Sequence, residues 1–124
     1  MKLLLDTHAA LWWLSGDRRF SPEAERRLTD DTDQVLLSAV VVWEVAIKRS
    51  LGKLEAPEDF GPTLLGAGVQ PLAVSLEHAA SVERLPWHHR DPFDRMLIAQ
   101  AAIEGAAIIS RDQALRPYDV TLIW

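Results

Sequence analysis

The stretch DPFDRMLIAQAAIEGAAIISRD, residues 91–112, holds one complete helix–strand unit. Asp91 precedes Pro92, and Asp94 falls in the first turn, a pattern that caps a helix and places an acid well against its dipole. Counting from Asp94, positions i+3, i+4 and i+7 are Leu97, Ile98 and Ala101. The carboxylate therefore stands on the apolar stripe of its own helix. Gly105 ends the helix. Ala106 to Ile109 then reads as a short strand, apolar throughout, followed at once by Ser110-Arg111-Asp112. A strand without alternation belongs to a parallel sheet covered on both faces.

The same grammar extends outward. Lys2 to Leu5 and Val35 to Leu37 read as further buried strands, with Leu72 to Val74 and Val120 to Ile123 as the remaining two. Helices are expected over Ala9 to Leu14, from Ser21-Pro22 to Leu28, from Ala39 to Leu51 behind a Ser38 cap, over Glu58 to Leu65 despite Gly61-Pro62, and from Leu76 to Arg84 behind Ser75. Short strands alternating with helices give an α/β fold, and 124 residues suit a single domain spanning 1–124.

Composition narrows the chemistry. Hydrophobic residues make up 48% and charged residues 25%, as in an ordinary globular domain. The absence of cysteine excludes disulfides, thiolate metal sites and a cysteine nucleophile, and agrees with a cytoplasmic location. The opening apolar run breaks at Asp6, so no signal-peptide core is expected, and no run is long enough for a membrane span. A net charge of -5 speaks against a broad, non-specific nucleic-acid binder but not against a nuclease with an acidic, cation-holding site.

Ligands of such sheets bind beyond the carboxyl ends of the strands. Asp6 follows the first strand, and Asp112 follows the strand at Ala106 to Ile109. Glu44 lies within the helix behind Ser38, and Asp94 opens its own helix. Together with Asp6 and Asp112, they form a set of carboxylates able to converge, which is favourable only with cations between them; hard oxygen ligands suit Mg²⁺ or Mn²⁺. Each acid also has a plainer reading: Asp91, Asp94 and Asp112 as caps, Asp6 as a turn residue, Glu44 as the i+4 partner of Lys48. His8 and Thr7 stand beside Asp6, while Ser38 and Ser110 offer hydroxyls either to a cap or to the acids. His88, His89 and Asp91 make a loose zinc pattern without a fourth ligand. Trp43 reads as core. Trp12 and Trp13 are adjacent and cannot share one core face, so one of them suits a self-association surface.

At LLLDTHAALWWL (3–14), LSAVVVWEVAIKRSLGKL (37–54), DPFDRMLIAQA (91–101) and IISRD (108–112) the chain resembles the PIN-domain family, specifically the VapC-like toxins. The resemblance implies a three-layer α/β/α sandwich with a mostly parallel sheet of about five strands. It also implies an endoribonuclease using Mg²⁺ or Mn²⁺, usually a homodimer inhibited by a cognate antitoxin, that cuts tRNA or rRNA. Asp6, Glu44, Asp94 and Asp112 match the family's acids; Asp91 is an extra acid of the DPFDR version, and Ser110 stands where threonine is frequent. The expected mechanism is in-line attack by activated water, leaving 5′-phosphate and 3′-hydroxyl ends, with Lys48, Arg90, Arg95 and Arg111 near the acids as candidate phosphate contacts. The preference for RNA rests on the resemblance. A metal-dependent DNA nuclease or phosphatase, or a non-catalytic protein- or RNA-binding module, are the alternatives. His8 two residues after Asp6 weakens the phosphatase reading, and retention of all four acids weakens the module.

Overall fold

A computed structural model describes residues 1–124. At its centre lies β1 (Lys2–Leu5), paired in parallel with β2 (Gln34–Ser38) on one side and β4 (Ala106–Ile109) on the other. Beyond β2 comes β3 (Gln70–Leu72), and beyond β4 comes β5 (Leu122–Ile123), so the all-parallel sheet has the order β3-β2-β1-β4-β5. Leu3, Leu4, Leu5, Ile108 and Ile109 are fully buried. Strands covered on both faces have no polar side to show, which explains their unbroken apolar runs.

Parallel neighbours need crossovers, and helices supply them. Between β1 and β2 run α1 (Thr7–Ser15) and α2 (Pro22–Leu28); between β2 and β3 run α3 (Ala39–Ser50) and α4 (Phe60–Gly66). α5 (Leu76–Ser81) and α6 (Pro92–Glu104) lead to β4 and complete a three-layer α/β/α sandwich. Asp6, Ser21, Ser38, Ser75 and Asp91 cap their helices with side-chain oxygens. α6 buries Leu97, Ile98, Ala99 and Ala101 and ends at Gly105, whose φ of 65° is a left-handed position suited to glycine.

Several expected boundaries move. β3 lies at Gln70–Leu72 rather than Leu72 to Val74, because register with Leu36–Ser38 of β2 selects the earlier residues. Pro71 is tolerated there because β3 is an edge strand. Beyond it, the Ala73 carbonyl accepts from Gln100 Nε2 (3.3 Å) instead of a strand. β5 keeps only Leu122–Ile123, and the helix expected to reach Arg84 becomes α5 plus a 3₁₀ turn over Val82–Arg84. α4 begins at Phe60, so Pro62 falls in the first turn, where a missing N–H leaves no intrahelical bond unmade. Trp43 is not core: α3 turns Val40, Val41, Glu44 and Val45 inward, leaving Trp43 59% exposed and edge-on to Phe93 (5.2 Å between centroids). Trp12 and Trp13 are both half-buried against the core margin.

Ile108 on β4 is fully buried, so Ile108→Ala should lower unfolding stability in urea by about 2–5 kcal/mol. A loss below about 1 kcal/mol would mean that the sheet centre is not the packed core described.

Candidate metal centre

The pairing of β1 with β4 places Leu5 opposite Ile109, and the Asp6 N–H continues the ladder by donating to the Ile109 carbonyl (3.2 Å). The residues that leave these two strands therefore emerge on one rim. Asp6 is 8% exposed, and its Oδ1 accepts from Ala9 N (2.8 Å), capping α1. Ser110 is buried, and its Oγ accepts from Asp112 N (3.0 Å). Asp112 is exposed and caps the following 3₁₀ turn through Ala114 N (2.9 Å).

The start of α6 approaches this rim. Asp94 Oδ2 meets His89 Nε2 at 2.8 Å. One ligand atom each from His89, Asp94 and Asp112 lies within 4.8 Å of the others, a grouping able to hold a metal ion. Glu44, 5% exposed on α3, accepts from Thr7 Oγ1 and from Lys48 Nζ, both at 2.5 Å. The i+4 pair weighed as the ordinary reading of Glu44 is therefore present, and Lys48 is engaged by it. Thr7, the residue after Asp6, ties Glu44 to this rim. Asp6 and Glu44 adjoin the three-residue group electrostatically, Asp6 through Asp112 and Glu44 through Asp94.

Burial first, and neighbouring charge second, disfavour the ionised form of two of the acids. Burial, then the nearby Asp91 and Glu44, push the Asp94 carboxyl up to about 6 against the opposing pull of His89. Burial also raises Asp6, opposed by the Ser110 hydroxyl, the Ala9 N–H and His8, and reinforced by Asp112. The Glu44 hydrogen bond raises Lys48. Such a rim favours positive charge, and its mainly carboxylate donors suit a hard divalent cation, with the His89 imidazole as an additional nitrogen donor.

In the sequence His89 stands out only within a loose zinc pattern, and the structure corrects that pattern. The His88 ring packs edge-on against Tyr118 (5.0 Å), and Asp91 Oδ1 accepts from Phe93 N and Asp94 N as a helix cap. The signal for His89 was its place just before that cap, which brings it beside the first turn of α6. Arg95 requires a second correction. It is 2% exposed, and its guanidinium donates to the carbonyls of Val82, Leu85, Pro86 and His89 and to the Tyr118 hydroxyl. It cannot reach a phosphate; it ties down the loop that carries His89. Ser38 is the third: fully buried, it accepts from Val40 N and donates to Gln100 Oε1, so it does not reach the acids. Arg90 and Arg111 are exposed, as is His8 next to Asp6.

A model of the PIN domain matches residues 3–120. The chain belongs to the PIN-domain family. Its sequence is similar to ribonuclease VapC22 of Mycobacterium tuberculosis, at 27% identity over 119 residues, covering 94% of this chain and 91% of that protein. Its fold matches VapBC2 from Rickettsia felis bound to a DNA fragment from its promoter, with a TM-score of 0.73 and 12% identity over 98% of this chain and 97% of that one. It also matches VapBC-1 from nontypeable Haemophilus influenzae, with a TM-score of 0.67 and 18% identity over 98% and 96% of the two chains. In this PIN domain the acids gather at the rim that the strand order dictates.

Two outcomes follow from the geometry. Arg95→Met orphans several carbonyls and should lower stability by ~2–4 kcal/mol in urea unfolding; a change within about 0.5 kcal/mol would show that the loop is held otherwise. For Asp94, the folded metal-free protein keeps a proton between about pH 4 and 6 that the unfolded chain has released, so stability falls as pH rises through that window. Asp94→Asn removes the penalty. In EDTA its melting temperature should exceed the parent's at pH 7.5, by ~1–2 kcal/mol of stability given a side chain 23% exposed and screened by solvent, with the advantage gone near pH 4. A pH-independent difference would remove the account of Asp94.

Proposed function

We propose that this chain is a divalent-cation-dependent endoribonuclease and the toxin of a toxin–antitoxin pair. The observation that carries the reading is the convergence of His89, Asp94 and Asp112, with Asp6 and Glu44 adjoining, at the carboxyl edge of a PIN-domain sheet. Likeness to a protein named a ribonuclease supports the RNA substrate, and likeness to a toxin–antitoxin complex from Klebsiella pneumoniae and to the VapBC structures supports an antitoxin partner. tRNA or rRNA as the target, a homodimer and a cytoplasmic setting complete the proposal.

In this reading Asp6, Asp94 and Asp112 would hold Mg²⁺ or Mn²⁺, with the His89 imidazole as a further donor in the same group. When bound, such an ion polarises a phosphodiester and lowers the pKa of water. Glu44, fixed by Thr7, orients water toward the phosphorus. Lys48, resting on Glu44, is close enough to the acids to turn to substrate, and the exposed Arg90 and Arg111 contact flanking phosphates. Ser110 supports Asp6. In-line attack by water leaves a 5′-phosphate and a 3′-hydroxyl.

Transcriptome-wide mapping of new RNA 5′ ends after brief induction in bacteria tests the proposal. Discrete 5′-phosphorylated ends are expected with the parent protein and at least a hundredfold fewer with Asp94→Asn, roughly the loss for a residue central to charge stabilisation. Ends bearing a 2′,3′-cyclic phosphate on the upstream fragment would contradict it, because they require attack by the RNA's own 2′-hydroxyl.

A further inference from the structure

The carboxylates of the rim are not equally free. Glu44, on α3, has both oxygens engaged: Oε1 accepts from Thr7 Oγ1 and Oε2 from Lys48 Nζ, each at 2.5 Å. Asp91 Oδ1 accepts from the N–H groups of Phe93 and Asp94. The ligand atoms that lie within 4.8 Å of one another come from His89, Asp94 and Asp112, and Glu44 is not among them. Donors for one ion are therefore together. The acid that would widen the site for a second ion holds a cation of the protein instead.

Lys48 is suited to that place. The i+4 spacing on α3 sets its ammonium against Glu44, and the Glu44 side chain is buried, so salt and water screen the pair weakly. α3 packs on α6, and Asp91 and Asp94 at the start of α6 lie close enough to attract the same ammonium. Of the lysines and arginines, Lys48 alone pairs with an acid of this rim. Glu44 is the one protein acceptor for its three N–H groups, which leaves two for a phosphate oxygen. Two-metal nucleases set their ions about 3.5–4 Å apart to clamp the attacking and leaving oxygens. An ammonium fixed beside a single ion brings the second positive charge without a second ion.

We propose that the Lys48 ammonium, anchored on Glu44, occupies the second cation position of this rim, so that each chain takes one divalent ion and Lys48 itself faces the substrate phosphate. The proposal deepens the divalent-cation reading above and rests on it. Glu44 is then the seat of Lys48, and Thr7 fixes that seat from the other side.

Equilibrium dialysis against millimolar Mn²⁺ at pH 7.5, followed by electron paramagnetic resonance of the bound ion, tests it without RNA. The parent should hold one Mn²⁺ per chain, with the spectrum of an isolated ion. Lys48→Met should admit a second, and the two, about 3.5–4 Å apart, should couple magnetically. Lys48→Arg should stay at one. Adding Glu44→Gln to Lys48→Met should return the count to one, because it removes the carboxylate on which the second ion sits. Two ions in the parent, or a single isolated ion in folded Lys48→Met, would overturn the proposal and leave the metal centre standing. No bound Mn²⁺ in the parent would overturn both. Melting curves accompany each variant, and the parent's ion count decides against the proposal even if Lys48→Met unfolds.

Discussion

The parallel pairing of β1 with β4 is the constraint on which the site depends. Register places Leu5 against Ile109, so the chain leaves both strands at the same edge with Asp6 on one side and Ser110-Arg111-Asp112 on the other. Two acids far apart in sequence become electrostatic neighbours without any contact between helices. The strand order reverses direction at this pair, since β2 and β3 lie to one side of β1 and β4 and β5 to the other. That reversal opens the crevice in which open α/β sheets place ligands.

α6 supplies the other half. Its stripe of Leu97, Ile98 and Ala101 must lie on the sheet, and burying that stripe forces Asp94, one turn earlier on the same face, into the crevice. The helix cannot start elsewhere, because Asp91 caps it and Pro92 occupies its first position. Arg95 then holds the preceding loop by its carbonyls, with Tyr118 donating to the Pro86 carbonyl (2.9 Å) and accepting from His89 N (2.9 Å). A buried cation bound to four backbone carbonyls and the Tyr118 hydroxyl thus fixes the imidazole that faces Asp94. Stability of the loop and geometry of the site are one network.

The residues that were legible in the sequence are those governed by periodicity and capping. Asp6, Asp94 and Asp112 follow from strand ends and a helix start, and the run Ala106 to Ile109 declares its burial through the absence of alternation. What stayed hidden depends on side-chain partners. Arg95 looks like a cation near acids, and only the loop folding over it shows that both terminal nitrogens of its guanidinium are taken. Ser38 reads equally as cap or site hydroxyl until Gln100, distant in sequence, claims it. Trp43 sits next to the buried stripe of α3, and a single helical step separates core from surface. His89 lies in a loop without period, where pattern carries no information on direction. The shift of β3 comes from register with β2, a long-range pairing that local composition does not encode.

The central claim is that the crowded rim holds a divalent cation through Asp94 and its neighbours. Calorimetric titration of the metal-free protein with Mn²⁺ at pH 7.5 tests it most directly, with Asp94→Asn and Asp112→Asn alongside. Saturable binding by the parent and at least a tenfold weaker affinity in both variants is the expected result. Equal Mn²⁺ affinity in parent and variants, or no binding by the parent at millimolar Mn²⁺, would contradict it.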